Sequence, residues 1–218
     1  MEGKAALVFG ATGLTGSEVV SQLLKDDRYG RVGVFVRRDP EIKHPKLITH
    51  IVGIADTDSY KDKIRGDELY ICLGTTIRKA GSVRAMEAAD RDVPAAISMA
   101  ARENGVGAVA VVSSIGASAA SRNYYLRIKG EMEQAIIAVD FDRTVIVRPS
   151  ILLGRRREFR FGEAAGKVVM KAIRFLFVGR LRKYRGIEAR DVAQAMIRLL
   201  NDTTHAGKIV FESDELNQ

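Results

Sequence analysis

Residues that build disulfides and metal sites are scarce in this sequence. There is one cysteine, Cys72, so no internal disulfide can form. Its apolar neighbours predict a buried, unreactive thiol within a strand, with a nucleophile as the minor alternative. Three isolated histidines lack the spacing of metal ligands, so we predict no metal site: His44, His50 and His205.

Long apolar runs are also lacking. None approaches the roughly 18 residues of a membrane-spanning helix, and no charged-then-apolar leader precedes the first predicted strand. We therefore predict a soluble, cytoplasmic protein without an integral membrane span.

Acidic residues are sparse in one region. The chain has a net charge of +8, yet residues 143–190 alone contain 14 Lys or Arg residues against three acids. This segment favours an anionic substrate, although a solvated surface explains any single charge in it. Residues 163–177 predict a basic amphipathic helix, which we interpret as a lid or packing helix rather than one that binds a membrane or an acidic partner. No helix-turn-helix or zinc-binding pattern is present, so we expect no nucleic-acid binding.

A glycine-spaced turn near the start of the chain organises the rest of the sequence. The apolar run from Ala5 to Phe9 predicts a buried strand, and apolar residues between Leu14 and Leu24 recur with helical period. Between these elements lie three evenly spaced glycines, Gly10, Gly13 and Gly16. One permits the sharp turn, one lets a phosphate approach the backbone, and one lets helix and strand pack closely. Because the helix N-terminus adds free N–H groups, the stretch predicts a dinucleotide-binding site.

Two arginines follow the second predicted strand, residues 32–36. At this point of such a fold an acidic side chain binds the 2′-hydroxyl of NAD, whereas arginine accommodates the 2′-phosphate of NADP. Arg37 and Arg38 therefore predict NADP(H), and each charge-assisted contact could supply roughly 1.5–3 kcal/mol. Asp39 complicates this prediction, because a shift of one or two residues in the strand end changes which side chain meets the ribose.

The remaining chain alternates strands with helices. Strands are predicted at residues 47–52, 69–73, 108–112, 144–147 and 208–212, and helices at 59–65, at 83–104 with a break at Pro94, from Tyr124 onward, and at 188–200. This alternation predicts an α/β fold, a Rossmann-type doubly wound parallel sheet with helices on both faces. We expect one domain over residues 1–218, with a small C-terminal substrate lobe at 143–190.

Polar residues with a chemical role follow the later strands. Tyr125 and Lys129 are four residues apart on one predicted helix, so their Cβ atoms lie about 5–6 Å apart. An ammonium beside a phenol favours the phenolate and lowers the pKa of the tyrosine, which suits proton transfer near neutral pH. Ser113 and Ser114 end the fifth strand, and either hydroxyl could hold a substrate oxygen. After the fourth strand, Gly74 allows close approach to a nicotinamide ribose or makes a tight connection only.

These residues together resemble the short-chain dehydrogenase/reductase superfamily, and within it the small atypical, epimerase-like group that includes the Tat-interacting oxidoreductase. The resemblance runs from about Ala5 to Val210. Its most specific motifs are Gly10-Ala-Thr-Gly13-Leu-Thr-Gly16, Cys72-Leu-Gly-Thr-Thr-Ile-Arg-Lys-Ala-Gly81, Val112-Ser-Ser-Ile-Gly116, Tyr125-Leu-Arg-Ile-Lys-Gly-Glu131 and Arg148-Pro-Ser-Ile-Leu-Leu-Gly154.

The resemblance implies a set of roles for the matching residues. Tyr125 would be the acid/base, Ser113 or Ser114 its partner, and Lys129 would bind the nicotinamide ribose. The remaining cofactor-binding residues would be Gly10, Thr12, Gly13, Leu14, Thr15, Gly16, Ser17, Arg37, Arg38, Leu73, Gly74, Leu152 and Arg160. Many relatives carry an acid after the third strand where this chain has Gly53, so the adenine contact is unassigned.

Two functions are compatible with this pattern. The first is an NADPH-dependent oxidoreductase that transfers hydride to a substrate carbonyl, with Tyr125 as acid/base and a possibly anionic small-molecule substrate. The second is a non-catalytic protein that binds NADP(H) as a redox signal and has a regulatory role. The complete Tyr125, Lys129 and serine set favours the enzyme. The sequence leaves open a protein partner or a homo-oligomer.

Overall fold

A single parallel sheet forms the centre of the protein. The computed structural model describes residues 3–153, 186–202, 204 and 207–216. The strands of this part are β1 (Lys4–Phe9), β2 (Tyr29–Val36), β3 (Leu47–Ile51), β4 (Glu68–Ile71), β5 (Ala108–Val112), β6 (Arg143–Arg148), β7 (Leu152–Leu153), β8 (Ile187–Glu188) and β9 (Gly207–Glu212). Seven of them pair in parallel in the order β3-β2-β1-β4-β5-β6-β9, which confirms the predicted Rossmann-type fold. Arg160 and the predicted helix 163–177 lie outside the described residues.

Helices cover both faces of this sheet. They are α1 (Leu14–Leu23), α2 (Ile77–Ala80), α3 (Val83–Glu87), α4 (Val93–Glu103), α5 (Tyr124–Ala138) and α6 (Ala189–Asn201). Successive strand residues point to opposite faces. In β1, Ala6 and Val8 belong to the core under α1 and α6, whereas Leu7 and Phe9 belong to the core under α4 and α5. The fold is therefore the doubly wound single domain that the alternating pattern predicts.

The strand register aligns the carboxyl ends of the central strands. Phe9 lies opposite both Phe35 in β2 and Ile71 in β4, and Ile71 lies opposite Val111 in β5. Strand order reverses between β1 and β4, the point at which open parallel sheets form a ligand crevice. The loops after β1, β2, β4 and β5 therefore lie together at the carboxyl end of the sheet, which we call the crevice edge.

Two helix predictions differ from the structure. The predicted helix at 59–65 is wrong, because this segment forms two single 3-10 turns at Thr57–Ser59 and Lys61–Lys63. It places only two large apolar side chains, Tyr60 and Ile64, in the core, too few for an amphipathic helix. The predicted break at Pro94 is instead a π-helical turn, Ala88–Asp92, which joins α3 to α4. Proline has no N–H to donate, and the wider turn before it accommodates this loss.

A buried polar cluster lies at the end of the sheet opposite the crevice. Glu68 accepts hydrogen bonds from the hydroxyls of Tyr29 (2.6 Å) and Tyr70 (2.7 Å) and from the ammonium of Lys4 (2.7 Å). Asn201, the last residue of α6, donates to the Tyr29 hydroxyl at 2.6 Å. This cluster ties α6 to the sheet, and it lies at the amino ends of β2 and β4, away from the crevice.

No helix among the described residues has both the length and the apolar character needed to cross a membrane.

Candidate cofactor and active site

The glycine turn places the start of α1 directly against the end of β1. Gly10 has a φ of +82°, and a Cβ at this position would lie 2.5 Å from the carbonyl oxygen of Cys72. A Cβ on Gly16 would lie 2.1 Å from the carbonyl oxygen of Gly10. The Gly13 amide donates to that same oxygen at 2.9 Å. A side chain at Gly16 would separate α1 from the end of β1, which is the packing role that the sequence reasoning expects of one of the three glycines. A side chain at Gly10 would collide with the backbone just after β4.

The first turn of α1 presents unused hydrogen-bond donors. Gly13 is the N-cap and contributes no side-chain cap. Within the described residues, no hydrogen bond uses the amides of Leu14, Thr15 and Gly16, whereas the Ser17 amide donates to the Gly13 oxygen. Such a helix end attracts an anion through its free N–H groups and its dipole. Thr12 and Ser17 are exposed beside it.

Arg37 and Arg38 extend from the end of β2 at the same edge. Both are exposed, and the described part of the chain gives neither guanidinium a hydrogen bond or an ion pair. The Asp39 carboxylate is used locally, because it accepts the Glu41 amide at 2.8 Å. Two cations without a partner among the described residues therefore follow β2 at this point.

Lys129 is a buried cation beside the crevice. Only 2% of Lys129 is exposed, and its ammonium faces the turn after β4, where a Cβ on Gly74 would lie 3.8 Å from it. Lys129 Nζ is 3.3 Å from Oδ2 of Asp90, at an angle that makes the contact an ion pair without a hydrogen bond. Asp90 is fully buried in the π-helical turn, and its Oδ1 accepts the Thr75 amide at 2.8 Å. Lys129, Asp90 and the Gly74 turn thus form one connected unit.

Tyr125 precedes Lys129 by one turn of α5. Tyr125 is 37% exposed. The hydroxyl of its neighbour Tyr124 donates a hydrogen bond to the carbonyl oxygen of Val83 at 2.9 Å. Asn123 caps this helix through the Leu126 amide, so α5 begins as the sequence predicts. The structure therefore brings Lys129 to the turn after β4 and leaves Tyr125, one helical turn earlier, partly exposed.

The two serines after β5 differ in their surroundings. Ser113 continues the strand ladder, since its amide donates to Val147 at 2.8 Å. By alternation it lies on the same face as Val109 and Val111, the face that packs against α5. Ser113 is buried and Ser114 is half-buried.

Buried polar atoms without partners gather at this edge. Among the described residues, three buried side-chain oxygens have no hydrogen-bond partner: Thr15 Oγ1, Asp90 Oδ2 and Ser113 Oγ. Such atoms are rare in folded proteins. The ion pair with Lys129 accounts for Asp90 Oδ2, whereas the two hydroxyls are open to a water or a ligand. Thr15 lies in the first turn of α1, Asp90 lies beside Lys129, and Ser113 follows the last residue of β5. Together with the open amides of α1, they fit a dinucleotide that runs along the carboxyl ends of β1, β4 and β5.

The remaining predicted cofactor residues are less informative. Leu73 is half-buried against the core under α4 and α5. Leu152 lies in β7, opposite Ile187 of β8. Cys72 lies just after β4 rather than within it and is partly exposed, although burial of its thiol raises the pKa to about 12.

Sequence reasoning missed Asp90. A carboxylate inside a predicted amphipathic helix is indistinguishable from a solvated one until its partner is known. Its partner, Lys129, lies 39 residues later in the chain. A second pair was also missed, in which the half-buried Arg148 at the end of β6 forms a bidentate contact with the buried Glu133 of α5 at 2.9 and 2.5 Å. The spacing of Lys129 and Glu133, one helical turn apart, is the only signal that could have suggested a charged inner face.

Comparison with known proteins agrees with this geometry. The NAD(P)H-binding family matches residues 10–203. The mitochondrial protein FMP52 of Eremothecium gossypii is 32% identical over 219 residues, covering 97% of this chain and 96% of that protein. The protein of the same name from Saccharomyces cerevisiae is 28% identical, with coverage of 96% and 93%.

Solved structures share the fold at low sequence identity. The Bordetella bronchiseptica enzyme WbmG in complex with NAD superposes with a TM-score of 0.72 at 13% identity, covering 98% of this chain and 74% of that one. The UDP-N-acetylglucosamine 4-epimerase of Methanobrevibacter ruminantium gives 0.72 at 16% identity, with coverage of 97% and 77%.

These findings correct one expectation and establish the family. The predicted cytoplasmic location is wrong, because the relatives that cover nearly the whole chain are named mitochondrial proteins. The matched residues include the glycine turn, the Gly74 turn and α5, which are the parts that build the crevice. The chain belongs to the NAD(P)H-binding family, and it shares its fold with the two solved enzyme structures above.

Proposed function

We propose that this protein is an NADPH-dependent oxidoreductase that reduces the carbonyl group of a small, anionic substrate. The observation that carries the proposal is the buried Lys129 ammonium, held at the Gly74 turn one helical turn after an accessible Tyr125. Burying an ammonium costs free energy that a single carboxylate partner, here Asp90, often does not offset, so a lysine buried at this turn suggests a role beyond packing. It is well placed to bind a ribose and to support a neighbouring phenol.

The cofactor would lie along the edge already described. The free amides of α1 would bind the pyrophosphate, and Arg37 and Arg38 the 2′-phosphate. The absence of a local partner for either arginine supports NADPH over NADH, since nothing among the described residues competes for their charge. Leu73 and Gly74 would line the nicotinamide ribose, and Lys129 would bind its hydroxyls.

The protein's own groups would then handle the proton. Bound NADPH supplies the hydride. Tyr125 donates its phenolic proton to the substrate oxygen, and the Lys129 ammonium stabilises the phenolate that remains. A serine hydroxyl donates a hydrogen bond to the same oxygen, where negative charge develops. We assign this role to Ser113 rather than Ser114, because Ser113 lies on the α5 face and its hydroxyl has no other described partner.

Cofactor preference is tested by calorimetric titration with NADPH and NADH. Arg37→Ala should weaken NADPH binding about tenfold, the loss of one exposed charge-assisted contact, and leave NADH binding unchanged. Arg31→Ala is the matched control, because Arg31 is exposed near the amino end of the same strand. Equal loss for both cofactors would remove the arginine from the phosphate site. Tighter binding of NADH by the wild type would overturn the NADPH assignment.

Catalysis is tested by the loss of NADPH absorbance with a panel of carbonyl compounds that includes anionic ones. Tyr125→Phe should lower kcat by about 100-fold or more, and Tyr124→Phe, which changes the neighbouring hydroxyl, should not. Turnover that survives Tyr125→Phe would refute the proton-donor role. NADPH binding without turnover of any compound would favour the regulatory alternative, in which the cofactor serves as a redox signal.

A further inference from the structure

We propose that the substrate of this crevice is an amphipathic anion, in which an apolar body carries the reacting carbonyl group. The inference rests on the proposed function and names the substrate class for the same site. It depends on two sets of exposed side chains near Tyr125. One set is apolar and consists of Ile77, Val83 and Ile151, which we call the apolar rim. The other set consists of arginines that adjoin the apolar rim in the sequence.

Exposed apolar side chains gather at the crevice edge. The described part of the chain exposes nine large apolar side chains. Four of them lie on segments that follow the carboxyl ends of β4, β5 and β6: Ile77, Val83, Tyr125 and Ile151. The other five are spread over the loop before β3, β3 itself, α4 and β9. A single exposed apolar residue is ordinary, whereas several on neighbouring loops indicate a surface that binds a ligand.

A side-chain hydrogen bond holds Val83 beside the start of α5. The Tyr124 hydroxyl donates to the Val83 carbonyl oxygen at 2.9 Å, so the first residue of α3 lies against the neighbour of Tyr125. The short helix α2, which begins at Ile77, packs against α3. Two members of the apolar rim therefore lie on the segment that contacts the Tyr125 end of α5.

The loop after β5 connects the same end of α5 to Ile151. The Ser118 amide donates to the carbonyl oxygen of Leu126 at 3.1 Å, which attaches the loop to the first turn of α5. The Ile115 amide donates to the carbonyl oxygen of Pro149 at 3.1 Å, which attaches the loop to the segment after β6. Ile151 is two residues further along that segment. The apolar rim thus belongs to loops that are joined through the first turn of α5.

Unpaired arginines adjoin the apolar rim. Arg78 comes directly after Ile77, and Arg84 comes directly after Val83. Both arginines are exposed, and the described part of the chain gives neither guanidinium a hydrogen bond or an ion pair. Guanidinium groups bind carboxylate and phosphate oxygens through charge-assisted hydrogen bonds, whereas apolar side chains favour an apolar ligand surface. A ligand that has both an apolar body and an anionic group would use both sets.

The proposed roles divide the substrate into three parts. Tyr125 and Ser113 would bind the carbonyl oxygen, the arginines would bind the anionic group, and the apolar rim would contact the body between them. Sites for small molecules commonly have this composition, in which apolar side chains line the site and a few polar groups fix the orientation of the ligand. A small hydrophilic substrate would instead leave the apolar rim in water.

Binding of straight-chain carboxylates measures the contribution of the apolar body without requiring turnover. The protein saturated with NADP⁺ is titrated calorimetrically with butanoate, hexanoate and octanoate. Complete burial of one methylene group strengthens binding about fourfold. On this open rim we expect about two- to fourfold per methylene group, so octanoate should bind at least about 16-fold more tightly than butanoate. A Kd that does not change with chain length would overturn the inference.

Val83→Thr tests the apolar rim with little change of shape, because threonine replaces one methyl group by a hydroxyl. Ile48→Thr is the matched control, since Ile48 is 41% exposed, Val83 is 44% exposed, and Ile48 lies in β3. We expect Val83→Thr and Ile151→Thr each to raise the Kd of octanoate about threefold and that of butanoate less than twofold. Ile48→Thr should change neither Kd. Equal effects of Val83→Thr and Ile48→Thr would overturn the role of the apolar rim, as would equal losses for butanoate and octanoate.

Octanamide, which has the length of octanoate but no charge, tests the arginines. The wild type should bind octanoate about tenfold more tightly than octanamide, the difference expected for one charge-assisted contact. Arg78→Gln combined with Arg84→Gln should reduce this preference to less than about threefold and leave the Kd of octanamide within about twofold. Arg31→Gln, at an exposed position near the amino end of β2, should preserve the preference. Equal binding of the two ligands by the wild type would overturn the anionic part of the inference.

The two proposals fail in different ways. A wild-type protein that binds neither NADPH nor NADH would overturn the proposed function, and the carboxylate series titrated into the protein alone would still test the ligand class. If the wild type prefers NADH, NAD⁺ replaces NADP⁺ in the titrations. A wild type that oxidises NADPH faster with short hydrophilic carbonyl compounds than with long-chain ones would overturn this inference and leave the proposed function standing.

Discussion

Alanine substitutions in the glycine turn should have graded effects, because an added methyl group meets a different obstacle at each position. At Gly16 the Cβ would lie 2.1 Å from the Gly10 oxygen, and at Gly10 it would lie 2.5 Å from the Cys72 oxygen, where real Cβ atoms do not approach closer than about 3.0 Å. At Gly13 the nearest atom is 3.1 Å away. At Gly53 nothing lies within 4 Å. Gly53→Ala is therefore the control.

The expected magnitudes follow from the kind of atom that is in the way. The obstacles at Gly16 and Gly10 are backbone oxygens, which cannot rotate aside, so α1 or the end of β4 must move by roughly 1 Å. Overpacking of this kind costs roughly 1–3 kcal/mol, and we expect values near 3 for Gly16→Ala. Gly10→Ala adds the strain of its positive φ, roughly 1–2 kcal/mol. Gly13→Ala should cost less than about 1 kcal/mol, since its backbone is extended and relief of its tight 3.1 Å contact needs a shift of only a few tenths of an ångström.

Affinity should separate Gly13 from the other two positions. Gly13 is the N-cap of α1, the helix end that we propose for the pyrophosphate, and a Cβ there would crowd the Gly10 oxygen. Gly13→Ala should therefore shift the free amides of α1 and weaken NADPH binding about tenfold while leaving the fold nearly intact. Urea unfolding measures the stability, and NADPH titration measures the affinity. The reasoning is refuted if Gly16→Ala unfolds within about 0.5 kcal/mol of the wild type. It is equally refuted if Gly13→Ala and Gly53→Ala bind NADPH alike.

Three further outcomes are expected away from the crevice. Tyr70→Phe removes a buried hydrogen bond to the Glu68 carboxylate and should lower the free energy of unfolding by roughly 1.5–3 kcal/mol. Tyr60→Phe removes a hydrogen bond to a neutral carbonyl and should lower it by roughly 0.5–1.5 kcal/mol. Equal costs in urea unfolding would contradict this difference. Burial beside Glu68 raises the pKa of Tyr70, so the protonated tyrosine stabilises the fold. Stability should therefore hold below pH about 10 and fall above it, and the fall should be less steep in Tyr70→Phe. Identical alkaline melting profiles of the two proteins would contradict this cause. Because burial raises the pKa of the Cys72 thiol to about 12, iodoacetamide at pH about 8 should modify the native protein far more slowly than the urea-unfolded one, and equal rates would show a reactive cysteine.

Local patterns in the sequence were sufficient for most of the scaffold. β5 at Ala108–Val112 and the start of α5 at Tyr124 are confirmed to the residue, because a short apolar run and a capped helical period are written in consecutive positions. The segment 59–65 was predicted wrongly because it is too short for its apolar pattern to identify a helix. Its two buried side chains resemble a helical period over a span too short to test it.

In the candidate site, too, the sequence indicated some features and the structure was needed for others. The spacing of Gly10, Gly13 and Gly16 indicated the turn, and the structure supplies the close approach that requires glycine at two of the three positions. The roles of Tyr125, Lys129 and the serines stay predictions. The choice between Ser113 and Ser114 became possible only when the strand ladder showed which face packs against α5.

The sequence by itself determined the alternation of strands and helices, the glycine turn and the cations after β2, because each depends on residues within a few positions of one another. Tertiary structure alone decided that Lys129 meets Asp90, that Arg148 meets Glu133, and that Asn201 joins the cluster at the opposite edge. The physical reason is that a buried charge or hydroxyl needs a partner within about 3 Å, and chain folding brings that partner from tens of residues away. Neither periodicity nor spacing records such a pairing before the sheet has aligned its strands.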